Sequence, residues 1–179
     1  MIFKNYWLHF KTIIRHKWYV FLACKDCGIL WRGIKHDLSK FSPTEFFEYA
    51  ENYTVGRSPV DVAKEKYGYC KAWLHHRGRN THHWEYWIDN LYKGGEPIKM
   101  PYPDLVEMLC DWIGASKAYN PSRWTQSSNY EWWLNKKTTI KVHKDTYNFI
   151  ELALKNLKDY GWKWTAEWLK NRAMYIYKN

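Results

Sequence analysis

Residues 2–26 read IFKNYWLHFKTIIRHKWYVFLACKD, and the period of the apolar side chains in this stretch decides the fold class. Phe3, Trp7, Phe10, Ile14, Trp18 and Phe21 recur at spacings of three and four, the repeat of one helix face. Ile13, His16, Val20, Ala23 and Cys27 make a second stripe of the same period. A helix apolar around so much of its circumference is expected at the centre of a bundle, with His16 among apolar neighbours. Gly28 supplies the stop.

The same reading extends along the chain. A short helix over about 29–36 leads into IKHDLSKF, residues 34–41. Ser42 and Pro43 have the chemistry of an N-cap and a first helical residue, and Glu45 completes a capping-box pattern. Helices are expected over 43–53, 61–75, 81–92 and 103–119. Loops fall at TVGRSPV (54–60), HRGRN (76–80) and KGGEPIKMPYP (93–103). Residues 120–143 have a weak pattern, and TTIKVH (138–143) has the β-branched composition of a strand. Two helices, over 144–157 and 162–177, close the chain. The expectation is one all-α domain of six to eight helices spanning residues 1–179.

Composition narrows the function classes. Of 179 residues, 13 are Trp and 15 are Tyr, so a chain of mean hydropathy −0.69 still has apolar surface to bury. The formal charge of +10 favours anionic partners, a small phosphorylated molecule or nucleic acid among them. The basic residues are scattered, with only Lys136 and Lys137 adjoining Lys141 and Lys144, so no nucleic-acid tail is defined. No apolar run of membrane-spanning length occurs, and no membrane partner is expected. Cys24 and Cys27 form a lone C-x-x-C without the second pair a zinc ribbon needs; with Cys70 and Cys110 they read as packed thiols of a cytoplasmic protein.

The histidines carry the chemistry. Adjacent His36 and Asp37 at the edge of an apolar stretch need a partner to offset desolvation. Asp111, inside MLCDWIGA, has the same need. Imidazole and carboxylate together are the usual ligands of divalent metals. His16, the HD pair 20 residues after it, and Asp111, 74 residues beyond Asp37, resemble the signature of the HD-domain metal-dependent phosphohydrolase superfamily. HDLSKF is similar to that family's HD-x-G-K, with Ser39 where glycine is commoner. The resemblance covers about residues 10–118, with the helices of 144–177 packing on that core as an HD-like bundle.

The resemblance implies that His16, His36, Asp37 and Asp111 bind a divalent ion (Mn, Fe, Zn, Co or Mg), with Asp37 able to bridge to a second. Two-metal HD proteins draw further histidines from the segment before the last Asp. HHRGRNTHHWEYW lies there; one of His75 and His76 and one of His82 and His83 is expected to face inward, with His76 and His83 preferred. Lys40 is the expected phosphate-facing cation and Glu85 the expected acid/base group. Arg77, Arg79, Asn80, Arg123, Lys141 and His143 are candidate substrate contacts. The function implied is hydrolysis of a nucleotide or another small phosphoester. The alternatives are a di-iron HD-type oxygenase and a basic, aromatic-rich nucleic-acid or protein-binding module with a vestigial metal site.

Overall fold

Helix α1 (Ile2–Asp26) is the axis on which the rest is assembled. The computed structural model describes residues 2–89 and 94–178 and, among these, contains helices and turns with no strand. The fold is all-α. After α1 come α2 (Leu30–Lys35), a 3-10 turn (Leu38–Phe41), α3 (Pro43–Glu51), α4 (Pro59–Tyr67) and α5 (Lys71–Arg77). A second 3-10 turn (Trp84–Trp87) precedes α6 (Tyr102–Tyr119), α7 (Ser128–Lys136), α8 (Lys144–Asn171) and α9 (Ala173–Lys178).

The stripe of α1 that reaches the core is the second one. Ile13, His16, Val20, Ala23 and Cys27 are buried, and His9 extends the row toward the N-terminus. They pack along α6, whose residues 104–111 are all buried. The approach is close: a Cβ at Gly114 would stand 2.5 Å from Val20 Cγ2, so α6 needs glycine there. Gly33 lets α2 lean on α1 in the same way, since its Cβ would meet Cys24 Cβ at 2.7 Å. Phe149, Ile150, Leu154 and Leu169 of α8 complete this core. Tyr177 ties α9 to it by donating to the Met100 carbonyl at 2.6 Å. A smaller core of Tyr49, Ala63, Cys70 and Ala72 joins α3, α4 and α5.

Several expectations are corrected here. The aromatic stripe beginning at Phe3 is not core: Trp7 and Trp18 are each 57 % exposed. The helix expected over 61–75 is two helices, because Gly68 takes a left-handed φ of 79° and ends α4. The segment expected as helix over 81–92 is a turn and the 3-10 element as far as Asp89; residues 90–93 lie outside the described ones. TTIKVH forms no strand, and α7 stands where no helix was expected. The closing pair of helices is separated as expected, at Gly161 (φ 80°, ψ 173°), but the second stops at Asn171 and α9 takes up the remainder. The Ser42 side chain makes no capping bond, and Glu45 turns inward instead. Cys24, Cys27, Cys70 and Cys110 are free and buried, as packed thiols should be.

Candidate metal centre

Adjacent side chains on a regular helix diverge by about 100°, so an HD pair cannot aim both members at one point from inside a helix. The chain solves this by breaking between α2 and the first 3-10 turn. His36 is extended (φ −48°, ψ 127°) and Asp37 is left-handed (φ 54°, ψ 27°), the one non-glycine positive φ among the described residues. Such a conformation disfavours most L-residues and Asp less than others. With that corner made, both side chains turn inward and are almost wholly buried.

Four donors converge there from α1, the corner and α6. His16 Nε2 lies 3.2 Å from Asp37 Oδ2 and 3.1 Å from Asp111 Oδ1. His36 Nε2 lies 3.1 Å and 3.4 Å from the same two oxygens. Two ligand atoms about 2.1 Å from one ion stand roughly 3.0 Å apart at octahedral angles and about 3.4 Å apart at tetrahedral ones. The observed spacings fall in that interval. The other oxygen of Asp37 faces a second group: Oδ1 is 3.1 Å from His76 Nε2 and 3.4 Å from His82 Nε2. With His83, these form a second set of donors within 4.8 Å of one another.

Carboxylates behind the imidazoles fix their tautomers. His36 Nδ1 donates to Glu107 Oε1 at 2.9 Å, and His82 Nδ1 lies 3.3 Å from the same atom. His76 Nδ1 donates to Glu45 Oε2 at 2.7 Å, while Glu45 Oε1 accepts from His75 Nδ1 at 2.7 Å. A donating Nδ1 leaves a lone pair on Nε2, which is the form a metal needs. Arg32 in turn pairs with Glu107 at 2.7 Å and with Asp104. His16 Nδ1 has no protein partner.

The fit to a cation is tested by what lacks a partner. Nε2 of His36, His76, His82 and His83 and Oδ1 of Asp37 are buried with no hydrogen bond. Each such group costs about 1–3 kcal/mol if left alone. Five together would consume much of the roughly 5–15 kcal/mol that holds a domain folded. Divalent ions seated among these donors would satisfy all five.

The carboxylates of the donor set are held ionised by their neighbours, and against burial the same carboxylates raise His36 and His76, a proton on each that a cation would displace. Burial alone would push Asp37 up, but His36, Lys40 and His76 hold its carboxyl well below the usual range. Burial opposes ionisation at Asp111 too, and the adjacent imidazoles of His16 and His36 overcome it. Burial and its neighbour His82 keep His83 neutral. Burial would raise Glu107, yet its bonds to His36 and His82 bring it down to about 2.

Beside the donors a cavity of about 350 Å³ opens, with His16, His83 and Asp111 in its wall. Trp73, Trp84, Trp112, Trp132 and Tyr119 line its sides. Lys40 reaches it while paired with Asp37. Glu85 lines it with Oε2 unpartnered, and burial raises its carboxyl. His9 and Tyr49 line the cavity as well; both nitrogens of His9 and the Tyr49 hydroxyl are buried without partners. Burial, and then the charge of Lys40, lower His9 to about 4.

The remaining substrate candidates stand elsewhere. Arg77 lines a separate depression, and Arg79 and Asn80 a groove on the Arg32 side. Asn80 brackets the fold by donating to the His76 carbonyl at 2.7 Å. Arg123 and Lys141 are exposed, and His143 caps α8 by accepting from Asp145 N at 3.1 Å. The chain after α6 brings Lys136, Thr139 and Ile140 to the cavity in their place. His82 was passed over in favour of His83, and Glu45, Glu107 and His9 were not anticipated as part of the site.

A family profile spans residues 5–156. The chain belongs to DUF5662, a family of unknown function. No curated protein and no solved structure matches it. The DUF5662 match takes in every donor of both sets and every residue lining the cavity. Outside it lie the start of α1 as far as Lys4, the end of α8, from Leu157 on, and α9.

Proposed function

We propose that this chain is an HD-type, metal-dependent phosphohydrolase of the cytoplasm that acts on a small anionic phosphoester, a nucleotide above all. The observation that carries the reading is the two-faced carboxylate of Asp37, one oxygen toward His16 and His36 and the other toward His76 and His82. His16, His36, Asp37 and Asp111 would hold one ion, and Asp37, His76, His82 and His83 a second. Ions of the Mn, Fe, Zn, Co or Mg type would polarise the phosphoryl oxygen and acidify water.

The chain's own groups divide the rest of the work. Lys40 borders both Asp37 and the cavity, where its fixed charge offsets that of the phosphoryl oxygens. Glu85 lines the cavity with Oε2 buried and unpartnered, and would exchange a proton with the leaving oxygen of a substrate seated there. The tryptophan walls accept a planar ring. His9 and His16 are two turns apart on α1, about 10 Å, a span that suits a phosphate at one end and a base at the other. The unpartnered nitrogens of His9 then meet the polar edge of the base. Four free cysteines accord with a reducing compartment.

A di-iron oxygenase is the second reading, favoured by a donor set of five imidazoles to two carboxylates. Elemental analysis of the purified protein, followed by a screen of mononucleotides, cyclic nucleotides and simple phosphomonoesters, separates the two. Phosphate release by the metal-loaded chain, lost together with bound metal in Asp37→Asn while circular dichroism stays helical, is the expected result. Iron content with oxygen uptake and no phosphate release would select the oxygenase. An Asp37→Asn protein that keeps its metal and its turnover would end both.

A further inference from the structure

From Phe3 to Trp18 the outward stripe of α1 is left largely exposed by the described residues. Phe3 is 91 % exposed, Trp7 and Trp18 57 %, and Ile14 46 %. These side chains form one patch rather than isolated points. Trp7 stacks on Phe10 at 5.9 Å, and Phe10 meets Phe41 of the first 3-10 turn at 6.3 Å. Further along, Ile14, Trp18 and Phe21 share a shallow groove with Ile34 of α2. The patch thus follows α1 for most of its length and spreads onto the elements after it. Water-exposed aromatic surface on this scale marks a contact face.

Charge decides what that face contacts. α1 carries Lys4, Lys11, Arg15, Lys17 and Lys25 but a single acid, Asp26, whose carboxylate accepts from the Trp162 indole at 2.8 Å. α2 adds exposed Lys35 and no acid. A second copy brought up by a two-fold axis would set this cationic rim against itself. A surface of opposite sign meets it without that repulsion. Aromatic rings bordered by Lys and Arg on one long amphipathic helix are the chemistry of a helix lying in a lipid interface. No described helix is long and apolar enough to cross a membrane, so the contact is with a surface.

We propose that the Phe3–Trp18 face of α1 docks on an anionic bilayer, its rings entering the interface and Lys4, Lys11, Arg15 and Lys35 meeting headgroup phosphates. The expectation of no membrane partner rested on the lack of a spanning run, and a surface contact needs none. The cavity is lined by His9, Thr12, Ile13 and His16 from the other side of α1, so docking leaves it open.

Vesicle flotation of the full chain tests the proposal. Vesicles of phosphatidylcholine are compared with equimolar phosphatidylcholine and phosphatidylglycerol. The expected result is binding to the anionic vesicles about tenfold or more above the neutral ones, weakened by high salt. Trp7→Ser/Trp18→Ser and, separately, Lys11→Glu/Arg15→Glu each lose that binding while circular dichroism stays unchanged. Equal partition of the wild type between the two vesicle types would overturn the proposal. So would anionic binding that survives the tryptophan changes, since that is adsorption of a basic protein and not docking of this face. A sedimenting dimer that Trp7→Ser/Trp18→Ser dissociates would also overturn it, because a second copy would then own the face.

Discussion

The two long stripes of α1 share a period but differ in fate, and the more polar of the two is the one inside. The buried row contains His9, His16 and Cys27; the exposed row is Phe3, Trp7, Phe10, Ile14 and Trp18. Ranking by hydrophobicity would have reversed them. What places His16 inside is the set of groups it meets there, Asp37 and Asp111. What brings α1 close enough is the absence of a side chain at Gly114, opposite Val20. Periodicity thus identifies a helix and its faces, and the demands of a site can choose which face is turned inward.

Three experiments would break or sharpen this contrast. The largest effect is expected from His16→Ala on the inner face, which removes one of four donors. Elemental analysis should show loss of about one metal equivalent per chain, with the chain still helical. Retention of full metal would detach the inner face from the centre.

His9 gives the next. Its pKa of about 4 lies below the ordinary 6.5, so between those values the unfolded chain binds a proton the folded chain refuses. Stability therefore rises with pH through this window and is lost as pH falls from 6.5 toward 4, by up to about 3 kcal/mol. Denaturant titrations at several pH values should show His9→Leu losing less stability than the wild type by this amount. Parallel curves would mean that His9 is as accessible to protons folded as unfolded.

The smallest effects compare packing directly. Gly114→Ala puts a methyl into the α1–α6 contact and should lower stability by about 1–3 kcal/mol. Trp18→Ser on the outer face should change it by no more than about 0.5 kcal/mol. Equal melting temperatures for the two would remove the distinction between the faces.

Much of the helical order was legible, because helices of 18 residues or more show their period plainly, as α1 and α6 do. His16, His36, Asp37 and Asp111 were legible as a group because local sequence marks them: a polar pair at an apolar edge, and a carboxylate inside an apolar run. His82 was hidden by a wrong element. Choosing one histidine of each adjacent pair assumes helical spacing, and residues 81–87 are a turn and a 3-10 element, so His82 and His83 both turn inward. Glu45 was hidden by a better local explanation, since Ser-x-x-Glu reads as a capping box. Glu107 looks like one more acid of a polar helix face until α2 and the second turn are packed over it. The cavity wall from α7 depended on how the chain returns after α6, which no local signal records.

The left-handed backbone at Asp37 makes this position singularly hard to replace. Glycine would relax the turn and supply no oxygen. Asparagine would keep the turn and forfeit the charge on which His16, His36, Lys40 and His76 all draw. Glutamate would keep the charge and overreach by a methylene, in a backbone state it resists. A chain with no ion to hold would be free to relieve the corner and become sturdier for it, so the strain at Asp37 is the firmness that a metal centre there would give up.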